Sequence, residues 1–322
     1  MSSTIVVAEV PGFLQVFSDG SVKRFPLPTI AASPDHPSDG FKSKDVVIDA
    51  GKSVTARIFL PDTTSTRPLP VLVYYHGGGF CIGSTAWSGF HGFVGSLCAK
   101  AQVLVVSVDY RLAPEHRIPA AYDDGYLSLQ WLARNGAGEP WLEGADLSRV
   151  FLFGESAGGN IVHNVMLRVA REPVEGVEIK GLMVIHPFFG SEGRVGSELG
   201  GGEAEKWVRM GDLLWQLSLP EGADRDHPAC NFEKMPAATM ERCKQFPAVM
   251  VFVAGLDTLK DRGVMYAEFL KGKGGLAQDV ELVIAEGENH GFHVYNAATD
   301  SQADSQATRL LITQMTDFIN QH

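Results

Sequence analysis

Signals for export, membrane insertion, metal ribbons and polyanion binding are all missing from this chain of 322 residues. No apolar run reaches the roughly 18 residues that a spanning helix needs. The longest, such as Val103–Val108, are the size of strands. Met1–Phe25 interrupts its short apolar runs with Glu9, Asp19, Lys23 and Arg24, so no basic segment leads into a clean apolar stretch as in a secretory signal. A cytoplasmic protein with no membrane partner is expected. The cysteines, Cys81, Cys98, Cys230 and Cys243, include no C-x-x-C pair. That argues against zinc ribbons and a disulfide framework, and for buried or free thiols. Basic residues are outnumbered, 27 Lys+Arg against 38 Asp+Glu, and no stretch offers a basic face to phosphates. Nucleic acid is not an expected partner.

What is present suits a folded enzyme: 45% hydrophobic and 20% charged residues supply a core without the charge density of disorder. The length allows about two domains, but α/β folds hold more than 250 residues as one unit, so a single domain over 1–322 is expected. Phe13–Phe17 and Ser21–Phe25 flank Ser18-Asp19-Gly20 as a hairpin, and Lys44–Asp49 and Val54–Phe59 alternate as strands. From Leu69 the pattern changes. Val71–Tyr75, Val103–Val108, Val150–Phe153, Gly181–Ile185 and Val249–Ala254 are near-continuous apolar runs, the mark of strands covered on both faces. Between them lie helix-period segments at Phe90–Lys100, Ala120–Asn135, Gly158–Arg171 and Asp261–Lys271, and Ala303–Ile319 follows the strand Val280–Ala285. This rhythm predicts an α/β fold with a mostly parallel sheet covered by helices on both faces. The excursion from Phe188 to Cys243, with a Gly-rich loop and an amphipathic helix near Ala204–Leu217, reads as a cap over the carboxyl ends of the strands. The N-terminal segment, about 1–40, is expected to contribute to it.

Gly154-Glu155-Ser156-Ala157-Gly158 places G-x-S-x-G between a buried strand and a helix. The bare pattern is expected by chance about once in four such chains, so the strand–turn–helix setting carries the signal. Glycines there remove side chains that would clash in a strained turn, leaving the Ser156 hydroxyl at the positive end of a helix. His76-Gly77-Gly78-Gly79 ends an earlier strand and is far rarer by chance. Bare backbone at Gly78 and Gly79, with the Ala157 N–H, would make an oxyanion hole of three donors. No G-K-[ST] follows, which disfavours a phosphate loop.

A serine hydroxyl needs a base within reach and a third group to orient that base. Asp257, just beyond Val249–Ala254, is favoured as the acid over Asp261, which should begin the next helix. His290, on the loop after Val280–Ala285, is the expected base. His293 three residues on has no third ligand near in sequence, so no metal is expected. His91, His163 and His186 read as packing or hydrogen-bonding residues. Phe80, Phe188, Phe189, Trp215 and Tyr295 lie near the predicted strand ends and are candidates for an apolar substrate pocket.

His76-Gly77-Gly78-Gly79, Asp109-Tyr110-Arg111-Leu112-Ala113-Pro114-Glu115-His116, Gly154 to Asn160 and His290-Gly291-Phe292 together resemble the hormone-sensitive-lipase-like branch of the α/β-hydrolases. The hairpin at Phe13–Arg24 and Ser218-Leu219-Pro220 with Asp226-His227 resemble the plant carboxylesterases within it. The resemblance covers nearly the whole chain. It implies catalytic Ser156, Asp257 and His290, an oxyanion hole from Gly78, Gly79 and Ala157, and hydrolysis of small carboxylic esters without a cofactor. Gibberellin receptors of the branch lack the catalytic histidine, which this chain keeps. Isoflavanone dehydratases of the branch carry Thr where this chain has Ser156, which favours ester chemistry. A repurposed lyase or cyclase stays open, because the same base and donors serve proton abstraction. Nothing in the sequence speaks to oligomeric state.

Overall fold

A computed structural model describes residues 4–35, 39–64, 67–242, 246–272, 275–277, 279–295 and 305–322. The first three strands, β1 (Val6–Val10), β2 (Leu14–Phe17) and β3 (Val22–Arg24), form a small antiparallel sheet. β2 and β3 are the expected hairpin, with Gly20 at φ 83° as its positive-φ residue. β1 was not anticipated: only Val10 is buried, so it shows no apolar alternation to read.

Among the described residues eight strands make the main sheet: β4 (Phe41–Asp49), β5 (Val54–Pro61), β6 (Leu69–Tyr75), β7 (Leu104–Asp109), β8 (Ala145–Glu155), β9 (Ile179–Ile185), β10 (Ala248–Ala254) and β11 (Val280–Ala285). Their order is β11-β10-β9-β8-β6-β7-β5-β4, parallel from β11 to β7 and antiparallel at β7–β5–β4. The continuous apolar runs are explained by two cores. Val71, Val73 and Tyr75 of β6 enter one, while Leu72 and Tyr74 enter the other on the opposite face.

The helices are α1 (Ser88–Ala101), α2 (Ala120–Ala133), α3 (Asn135–Gly138), α4 (Ala157–Val169), α5 (Glu203–Ser218), α6 (Ala237–Arg242), α7 (Lys260–Lys271), α8 (Phe292–Tyr295) and α9 (Gln306–Gln321). α1 and α9 supply the core that holds Leu72, and α2, α4 and α7 the one that holds Val71. α9 starts where Ser305 Oγ caps the Thr308 N–H at 3.1 Å. The expected start at Ala303 lies outside the described residues, as does Cys243. Cys81, Cys98 and Cys230 are buried free thiols. Among the described residues no helix is long and apolar enough to cross a membrane.

Candidate active site

β8 runs into α4 through Ser156, whose φ of 54° and ψ of −118° are strained for a residue with a side chain. The glycines around it are steric necessities. A Cβ at Gly158 would stand 1.8 Å from the Tyr75 oxygen, and one at Gly154 would stand 2.4 Å from the Gly158 carbonyl. The turn is pinned by Ser156 N–H donating to the Ile185 oxygen (2.8 Å) and Phe188 N–H to the Ser156 oxygen (2.9 Å). Ser156 thereby sits at the amino end of a 13-residue helix.

The glycine loop after β6 is held from several directions. Glu155, buried beside Ser156, accepts the Gly77 N–H (2.6 Å) and the Tyr74 hydroxyl (2.8 Å). Tyr110 donates its hydroxyl to the His76 oxygen (2.8 Å), and Asp109 accepts from Thr85 N–H and Oγ1. Arg111 grips buried Asp124, and Arg24 of β3 donates to the Cys81 and Ala113 oxygens at 2.8 Å. The segment Asp109 to Glu115 is thus scaffolding for the loop. Gly78 and Gly79 have φ of 107° and 58°, and a Cβ on either would strike Ile82 or Leu214. The Gly77 N–H is taken by Glu155, whereas among the described residues no backbone acceptor takes that of Gly78 or Gly79.

Asp257 and His290 lie on loops after β10 and β11 that are joined by Gly255 N–H to the Ala285 oxygen (2.8 Å) and Leu256 N–H to the Glu288 oxygen (2.9 Å). Asp257 Oδ2 meets His290 Nδ1 at 2.7 Å, and Oδ1 accepts the Leu259 N–H at 2.9 Å. Asp261, the rejected alternative, turns its carboxylate to the Ser197 N–H instead. Burial works against the Asp257 charge, but the charge and hydrogen bond of His290 prevail and hold its pKa below the usual carboxylate value. Burial likewise favours neutral His290, yet the Asp257 charge and hydrogen bond, with Glu155 behind, raise its pKa. With Nδ1 donating to Asp257, neutral His290 keeps its Nε2 lone pair free as an acceptor. No Ser156–His290 side-chain hydrogen bond is formed, but both groups line one cavity of about 360 Å³ with Asp257, Gly78 and Gly79.

The aromatic candidates separate. Phe188, Phe189, Trp215 and Tyr295 line this cavity. Phe80 does not: it is 1% exposed, packed against Tyr122, Phe188 and Trp215 at φ 64°, because the turn after Gly79 drives its ring into the core. His91 and His163 are hydrogen-bonding residues, paired with Arg57 and Tyr266. His186 is not. Both its ring nitrogens lack partners, and Nδ1 lies 3.7 Å from Asp257 Oδ2 at a residue with φ 45°. Among the described residues His186, Asp257 and His290 bring possible metal-binding atoms within 4.8 Å of one another. The Asp257 oxygen is already committed to His290 there. Glu155, whose carboxyl burial pushes up to about 7, was also passed over, although it sits inside the serine motif.

A family described as alpha/beta hydrolase fold matches residues 72–294. The chain belongs to that family. This α/β hydrolase is 37% identical over 326 residues to "Probable carboxylesterase 6" of Arabidopsis thaliana, covering 98% of this chain and 92% of that one. It is 38% identical to a "2-hydroxyisoflavanone dehydratase" of Glycyrrhiza echinata, covering 92% of each. Among solved structures, an esterase of Pyrobaculum calidifontis superposes with a TM-score of 0.71 at 26% identity, covering 86% of this chain and 84% of that one.

Proposed function

We propose that this α/β hydrolase is a serine carboxylesterase that cleaves small carboxylic esters through an acyl-enzyme on Ser156. One observation carries the reading: half-buried His290, 2.7 Å from buried Asp257, opens onto the same cavity as a serine held in a strained turn at a helix amino end. Its carboxylesterase and esterase relatives support the reaction type.

Ser156 Oγ attacks the ester carbonyl carbon while His290 Nε2 takes its proton, and Asp257 fixes the imidazole and stabilises its charge. The carbonyl oxygen becomes an oxyanion that accepts N–H groups from Gly78, Gly79 and Ala157, a donor of this kind being worth about 3 kcal/mol. His290 then protonates the departing alkoxide. Water, deprotonated by His290, attacks the acyl carbon; the Ser156–acyl bond then breaks, His290 returns the proton to Ser156 Oγ, and the acid leaves. A cavity of about 360 Å³ suits a small ester.

Ser156→Ala is expected to abolish turnover of a short p-nitrophenyl ester and labelling by a fluorophosphonate while leaving the unfolding midpoint near wild type. Turnover above a few per cent, or labelling at another residue, would refute the assignment. The dehydratase relative favours a second reading, a lyase on the same site. Its signature would be an unsaturated product formed without incorporation of solvent oxygen.

A further inference from the structure

Two unlike sets of residues line the cavity over Ser156. Leu27, Ile82, Trp87, Phe90 and Val294 are apolar. Arg194, Asp212 and Arg225, from three segments of the excursion after β9, are charged. Asp212 of α5 joins them: one carboxylate oxygen accepts from Arg194 Nη2, the other from Arg225 Nη1 at 2.8 Å. Arg225 Nε also meets Glu192 Oε1 at 3.3 Å. Glu198 and Glu203 also line the cavity, each paired with a cation of its own, Arg262 and Lys206, so with two guanidinium groups against two carboxylates in the array the charges there are matched and no unpaired charge is left to attract an ion. The array offers N–H donors beside carboxylate acceptors. Arg194 and Asp212 keep 29% and 35% of their side-chain surface, so unused bonding capacity reaches the cavity. Trp215 is fixed by stacking on Phe188 at 4.4 Å, while Trp207, 46% exposed, lines the cavity with no ring contact among the described residues.

Adjacent donors and acceptors match a group that both donates and accepts at several points, which is what hydroxyls do. An open indole face suits the C–H face of a saturated ring. We infer that the leaving alcohol of the natural ester is a neutral polyol or sugar, selected by Arg194, Asp212 and Arg225, and that its acyl group is short and apolar. A polyhydroxylated group is itself an alcohol, which assigns it to the leaving side of the ester. This inference rests on the esterase reading. It adds no chemical step and makes Arg194 a specificity residue.

The test holds the acyl group constant and varies the alcohol: 6-O-butanoyl glucose, butyl butanoate, and the anionic butanoyl lactate. Wild type is expected to show kcat/KM at least tenfold higher for the glucose ester than for either other. Equal or reversed preference overturns the inference. Arg194→Leu should cut the ratio of glucose ester to butyl ester tenfold or more, and an unchanged ratio overturns it too. Should that variant not fold, inhibition of wild type decides. Butyl glucoside should compete with a Ki at least tenfold below that of hexan-1-ol, and equal Ki values overturn the inference. Turnover of butyl butanoate without a sugar preference removes this inference alone, whereas turnover of none of the three removes the esterase reading with it.

Discussion

His290 and Glu155 set the response to pH at the scale of single residues. A general base must be neutral, and Asp257 and Glu155 hold the His290 proton more tightly than burial loosens it. On a short p-nitrophenyl ester, kcat/KM is therefore expected to climb through a midpoint above 6.5; a midpoint below that value would contradict the proposed relay. Stability runs the other way. A raised imidazole pKa contributes stability that is complete below the unfolded value and lost as pH rises through the folded one. Glu155, lifted by burial from 4.5 to about 7 despite the Tyr74 and Gly77 hydrogen bonds, likewise lowers stability as pH rises, between those two values. Glu155→Gln cannot ionise and is expected to lose less Tm between about pH 5.5 and about pH 8 than wild type. An equal or larger loss in thermal melts would show that Glu155 is charged throughout. That Asp257 meets His290 beside a cavity lined by Ser156 was legible from motif and chain order. The approach of His186 to Asp257 was not, because Asp257 lies on a neighbouring strand's loop and nothing local announces it.

At the scale of elements, α7 is bolted to the Gly-rich loop by a buried ion pair. Arg262 Nε meets Glu198 Oε1 at 2.8 Å, and Ser197 Oγ donates to the Thr258 oxygen at 2.8 Å, one residue from Asp257. Removing one partner strands the other charge, a cost of about 3–5 kcal/mol. Arg262→Leu is expected to lower Tm by several degrees, and Arg262→Leu with Glu198→Leu to recover much of the loss. A double variant as unstable as the single one would mean that the pair's value lies elsewhere, in the bond from Arg262 to the Gly193 oxygen. The strands from β6 to β10 were readable because both of their faces are covered, which leaves near-continuous apolar runs. The bolts were unreadable: charges 64 residues apart carry no periodicity.

For the molecule as a whole, the excursion after β9 is seated on the hydrolase core at several separate points. Ile118 N–H donates to the Ser218 oxygen (2.8 Å) and Arg117 to the Leu219 oxygen (2.7 Å). Asn160 Nδ2 bridges the Phe188 and Ala229 oxygens at 2.9 and 2.8 Å. Such ties predict one unfolding unit. Calorimetry should give a single transition with matching calorimetric and van't Hoff enthalpies, and two resolved transitions would show that the excursion melts alone.

The tether from Arg24 to the Cys81 and Ala113 oxygens also orders events during synthesis. The hairpin leaves the ribosome before its acceptors, which follow 57 and 89 residues later, so the tether can close only after that stretch has been translated.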